Sequence, residues 1–153
     1  FSDSEIIWIN SVYNGENFDK VYMKARALAF EKEYDKALLL CRYILSESPS
    51  HIDTKVLMGR VSVWSGDYPS SIKILKECIK MNPNYIDSYS ALFDVYYWSE
   101  RTKEALELID LVEQNSSSAH EIADKIERAK REAHKKGMAH QTKLASRSKV
   151  STL

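Results

Sequence analysis

Apolar side chains recur at helical spacing in four stretches of the chain. Over 35–47, Ala37, Leu38, Leu40, Cys41, Ile44 and Leu45 form one stripe, and Ile72, Ile74, Leu75, Cys78, Ile79 and Met81 form another over 70–81. Ala105, Leu106, Leu108, Ile109 and Val112 repeat the stripe over 103–112, and Ile122, Ile126, Ala129 and Ala133 share one face of 120–136. Spacings of three and four residues predict amphipathic α-helices, since side chains that far apart lie on one side of the turn. Four Gly and three Pro in 153 residues are too few for an all-β fold, which needs turn residues at every hairpin. The apolar runs are short, Ala37-Leu-Leu-Leu-Cys41 among the longest. None approaches the roughly 20 residues of a membrane-spanning helix.

The stripes belong to a longer period. When the chain is shifted so that position 52 falls on 86, Ile52-Asp53-Thr54 meets Ile86-Asp87-Ser88. The same shift brings Tyr34 onto Tyr68, Pro49 onto Pro83, Arg26 onto Arg60, and Trp64-Ser65 onto Trp98-Ser99. This period and pattern resemble the tetratricopeptide repeat, a helix–turn–helix unit that buries its stripes only by stacking on neighbours. The resemblance implies an all-α, right-handed solenoid of three units, 18–51, 52–85 and 86–119. The small residue at the crossing of the two helices is Ala25, then Gly59. Phe93 takes that place in the third unit and implies looser or shifted packing. Ala37, Ser71 and Ala105 open the second helices. Pro49 and Pro83 end two of them, and Ser117 replaces the proline in the third. In Trp64-Ser-Gly-Asp-Tyr68, Gly66 suits the left-handed conformation that closes a helix.

Residues 1–17 do not fit the period. Their run Ile6-Ile-Trp-Ile9 is either a lead-in packed on the first unit or an entry linker. Residues 120–137 read as a capping helix with a polar outer face, and 138–153 as a weakly structured tail. Charge sharpens this division. The chain has 22 Lys and Arg against 22 Asp and Glu, yet nine basic and two acidic residues lie from Lys125 to Leu153. The end is therefore +7 and everything before it −7. The basic end lacks interleaved aromatics, so a solvated cap is favoured over nucleic-acid binding.

By analogy with the repeat family, the inner positions of the first helices read Asp19, Tyr22, Arg26, Ala29, Phe30; Asp53, Val56, Arg60, Val63, Trp64; and Asp87, Ser90, Asp94, Tyr97, Trp98. A concave face carrying Tyr22, Arg26, Phe30, Arg60, Trp64, Asp94, Tyr97 and Trp98 suits an extended protein segment. Each column also has a structural reading. First-turn Asp residues favour the helix dipole, the aromatics can seal the turns, and the arginines can pair with a neighbouring Asp. Chaperone-binding members of the family hold a peptide carboxylate with Lys and Asn at the inner positions of the first unit. Tyr22 and Arg26 stand there instead, so that activity does not carry over.

Catalysis has little support. His51, His120, His134 and His140 form no i, i+4 pair and meet no cysteine or carboxylate array, and no Gly-rich phosphate loop or nucleophile elbow is present. Neither metal nor cofactor is expected. Cys41 and Cys78 have no ligand or redox spacing and read as buried core residues.

Ala25-Arg-Ala-Leu-Ala-Phe30, Leu57-Met-Gly-Arg60, Trp64-Ser-Gly-Asp-Tyr68 and Asp94-Val-Tyr-Tyr-Trp-Ser99 also resemble the periplasmic repeats of YaiO-family outer-membrane β-barrel proteins. In that family the repeats precede a C-terminal barrel, and no alternating-strand region follows them here. The expectation is a non-catalytic interaction scaffold on the periplasmic side of the outer membrane, with a protein partner or the barrel portion of the same polypeptide. The alternative is an envelope glycan-handling accessory using the same aromatic face.

Overall fold

The computed structural model describes residues 1–138, and these are all-helical. The proposed 138–153 tail therefore lies, apart from Met138, outside the described residues. The helices are α1 (Asp3–Tyr13), α2 (Phe18–Phe30), α3 (Tyr34–Glu47), α4 (Ile52–Trp64), α5 (Tyr68–Met81), α6 (Ile86–Trp98), α7 (Thr102–Asn115) and α8 (Ala123–Lys135), with a 3-10 turn at Ala119–Ile122. Helices α2, α4 and α6 begin at equal intervals, at Phe18, Ile52 and Ile86, and α3, α5 and α7 keep the same interval at Tyr34, Tyr68 and Thr102. Each pair thus has a first helix, A, and a second, B. The chain forms two compact units, Phe1–Met81 and the part from Asn82 onward.

In the first unit, Val21, Ala25 and Ala29 of α2 share a core with Ala37, Leu40, Cys41 and Ile44 of α3 and with Leu57 and Val61 of α4. Helix α4 runs against α5 at the closest crossing. A Cβ built on Gly59 would sit 2.7 Å from Leu75 Cδ2 and 2.8 Å from Cγ, so only glycine fits without displacing a fully buried leucine. In the second unit, Phe93 occupies the equivalent position, and α6 and α7 pack less closely than either A–B pair of the first unit. That follows from its volume. A phenyl ring at a crossing holds the two backbones apart.

All three A–B turns close the same way. Lys32, Gly66 and Glu100 each have positive φ, at 64°, 93° and 57°. The next amide in each turn reaches back five residues, Glu33 to Leu28, Asp67 to Ser62 and Arg101 to Tyr96, at 2.7–2.9 Å. These are Schellman closures, and they satisfy carbonyls that the helix end leaves open. Gly66 was legible as such a residue. Lys32 and Glu100 adopt the same conformation against their own preference, at a cost of about 1 kcal/mol each.

Residues 1–17 contain α1, whose Trp8, Val12 and Tyr13 pack against the core of the first unit. Ser2 and Glu5 form a capping box at its start. One expectation is corrected: the basic end is not simply a solvated surface, because Lys125 and Arg128 of α8 turn inward onto Asp94 of α6. Arg128 lies one full period after Asp94, so α8 continues the A-helix register. Cys41 and Cys78 are free and fully buried, and burial pushes both thiols up to about 12.

Candidate functional site

In the first unit, Tyr22, Arg26 and Phe30 follow one another at i, i+4 spacing along α2, and Arg60 and Trp64 do the same on α4. Phe30 is 64% exposed at the end of its helix, with its ring 6.1 Å from that of Trp64. The Arg26 guanidinium lies 5.2 Å from the Phe30 centroid, a cation–π contact rather than the Asp pairing that sequence allowed. Met23 is also exposed on α2 and went unnoticed in the sequence, although it stands three residues before Arg26. Met23, Arg26 and Phe30 are the exposed members of this group, and Trp64, partly buried against the core, borders Phe30.

The other expected residues are more deeply built into the fold. Tyr22 stands against His51, with ring centroids 6.1 Å apart. His51 Nε2 donates to Asp19 Oδ1 at 2.9 Å, and its Nδ1 shares a hydrogen bond of 2.7 Å with the Thr54 hydroxyl. Asp19 therefore links the first turn of α2 to the start of α4. Val56 and Val63 are buried core residues.

In the second unit the sequence expectation for Asp94 fails. Asp94 is 7% exposed, and its carboxylate accepts from Lys125 Nζ at 2.6 Å and from Arg128 Nη2 at 2.8 Å. Burial raises its pKa, but the hydrogen bonds and charges of these two cations outweigh that and hold the carboxyl below its ordinary range. The residue anchors α8. Arg128 also lies 4.2 Å over the Tyr97 ring, while Trp98 remains half exposed beside it. These groups border a cavity of about 430 Å³ floored by Phe93, Ala105 and Ala129, with Lys136 held at its rim by the Thr102 hydroxyl. The contribution of α8 stays hidden in the sequence while the period is stopped at 119. Extending the Arg26, Arg60, Asp94 column by one more step finds Arg128.

Among the described residues no group of three or more His, Cys, Asp or Glu is placed to hold a metal, and no helix is long and apolar enough to cross a membrane.

Helix pairs at a constant interval, each closed by the same turn, define a tetratricopeptide-like helical repeat protein. Sequence comparison supports this class. A DnaJ homolog subfamily C member 7 homolog from Schizosaccharomyces pombe, which contains tetratricopeptide repeats, is 28% identical over 64 residues. The match covers 42% of this chain and 13% of the relative. No family model matches the chain.

Proposed function

We propose that the protein is a non-catalytic interaction scaffold that binds an extended segment of a partner protein along the exposed faces of its A helices. The observation that carries this reading is the patch at the ends of α2 and α4, where Phe30 stays exposed beside Trp64 and under Arg26. Aromatic and arginine side chains dominate protein-binding hot spots, because they bury large areas and still offer directed polar contacts. The repeat class and the partial similarity to a repeat-containing protein agree with a protein partner. The glycan alternative needs open ring faces for stacking, and the guanidinium over Tyr97 takes one of them.

Phe30→Ala combined with Arg26→Glu is expected to weaken capture of the natural partner by about tenfold or more. Both side chains are exposed, so helical content by circular dichroism should be unchanged. Crosslinked affinity capture from the source cells measures the first effect, and undiminished capture by the double variant removes the proposal.

The setting proposed is the periplasmic side of the outer membrane, with the barrel portion of the same polypeptide as one candidate partner. Its support is the sequence resemblance to YaiO-family repeats. Cell fractionation is expected to recover the complete polypeptide with the outer membrane, and recovery in the cytosol rejects that setting.

A further inference from the structure

Helices α6, α7 and α8 leave a gap where they meet. Phe93 stands on α6 at the position that holds Ala25 and Gly59 in the first unit, while Ala105 of α7 and Ala129 of α8 are too short to fill the space beside it. The cavity of about 430 Å³ is the consequence. Sites for small organic molecules run from roughly 300 to 1,000 Å³, lined mainly by apolar and aromatic groups with a few polar ones to fix orientation.

This cavity has both parts. Phe93, Ala105 and Ala129 are buried, and Tyr97 and Trp98 stay 42% and 45% exposed. The polar part is Thr102 with Lys136. Thr102 is 7% exposed, and its hydroxyl accepts from Lys136 Nζ at 2.5 Å. A hydroxyl that accepts still has its own hydrogen to donate, and an ammonium has three. Beyond that one bond, neither group donates to any described residue. Two adjacent donors, one of them on a buried side chain, therefore lack an acceptor at the wall of the cavity.

Charge selects the acceptor. Within this unit, the cations that line the cavity or pair with its lining are Lys125, Arg128, Lys135 and Lys136, against Asp94, Glu100 and Glu132. Lys125 and Arg128 share Asp94, and Glu132 is paired with Lys135 at 3.1 Å. Glu100 is exposed on the turn between α6 and α7. The balance is one positive charge, and Lys136 is the cation that meets a neutral hydroxyl instead of a carboxylate. An incoming ammonium is repelled there, and a dianion overshoots the balance beside Glu100 and Glu132. A single carboxylate matches it and supplies one oxygen for each donor.

We propose that this cavity is a binding site for a small aromatic monocarboxylate, held by the Thr102 hydroxyl and the Lys136 ammonium, with its ring against Phe93, Ala105 and Ala129 beside Tyr97 and Trp98. Offset and edge-on contacts with these rings favour an aromatic body. The site shares no residue with the Phe30–Arg26 patch, and its occupant is a small molecule rather than a partner segment.

Isothermal titration of the 153-residue chain with naphthoate tests this. Saturable binding is expected, with a Kd of about 1 mM or tighter. The neutral naphthylmethanol, the cation naphthylmethylammonium and the dianion naphthyl phosphate should each bind about tenfold more weakly or less. Lys136→Gln and Thr102→Val are each expected to weaken naphthoate binding about tenfold, and Phe30→Ala to leave it unchanged. Lys136 is exposed, so its variant keeps the fold, which the helical signal in circular dichroism checks. Absence of saturable binding overturns the proposal, as does a naphthoate affinity that neither variant changes. Equal affinity for the alcohol or the ammonium makes the cavity a site for the apolar body alone, and tighter binding of the phosphate makes it a phosphate site. Either result also overturns it. Loss of naphthoate binding in Phe30→Ala assigns the ligand to the other patch, with the same consequence. Partner capture is read separately, so the two proposals fail independently.

Discussion

Leu75→Ala is expected to destabilise the protein by about 2–5 kcal/mol, the range for removing a fully buried leucine whose cavity cannot collapse. The informative companion is Gly59→Ala. Alone, its new methyl would meet Leu75 Cδ2 at 2.7 Å and force that side chain to move. Overpacking of this kind costs about 1–3 kcal/mol, offset by the gain of about 1 kcal/mol from replacing glycine inside a helix. In the Leu75→Ala background the obstacle is gone, the methyl fills vacated space, and only the helix gain remains. Gly59→Ala should therefore change from neutral or destabilising to stabilising once Leu75 is truncated. Urea unfolding of the four species measures this as a coupling energy. Strict additivity would show that Leu75 does not hold position 59 to glycine.

Asp94→Asn is expected to cost about 2–3 kcal/mol and to loosen α8. It leaves Lys125 and Arg128, both mostly buried, facing a neutral amide. The pH dependence has a definite sign. Asp94 has its pKa lowered in the folded protein, so the unfolded chain binds the proton more tightly. Its contribution is complete at neutral pH and fades as pH falls below the ordinary Asp value of 3.8, through the lower folded value. The stability advantage of the natural protein over Asp94→Asn should thus hold constant from pH 7 to about 5 and shrink below about 4. Unfolding curves across that range decide the matter, and a difference that does not vary with pH would mean that the carboxylate charge is not what secures α8.

These predictions rest on features of unequal visibility in the sequence. Gly59 was legible as the crossing residue because its column holds Ala25 one period earlier. Phe93 was legible as a departure from that column, and the looser α6–α7 pair bears it out. The aromatic column was legible too, but its division was not. Phe30 projects outward, Tyr97 lies under a guanidinium, and Trp64 is partly enclosed. Position in a repeat fixes the face of a helix, whereas exposure depends on what the neighbouring helix brings to that face. Asp94 was misread for the same reason, since the cations that claim it lie 31 and 34 residues further on.

By itself, the sequence determined the helices, their pairing and the constant interval between pairs. Apolar spacing and a repeated turn are local properties, written within each unit. The tertiary structure alone decided two things. It imposed left-handed turns on Lys32 and Glu100, where the closure of A onto B outweighs a local preference of about 1 kcal/mol. It turned two charges of the basic end inward, because a buried carboxylate on α6 needs partners.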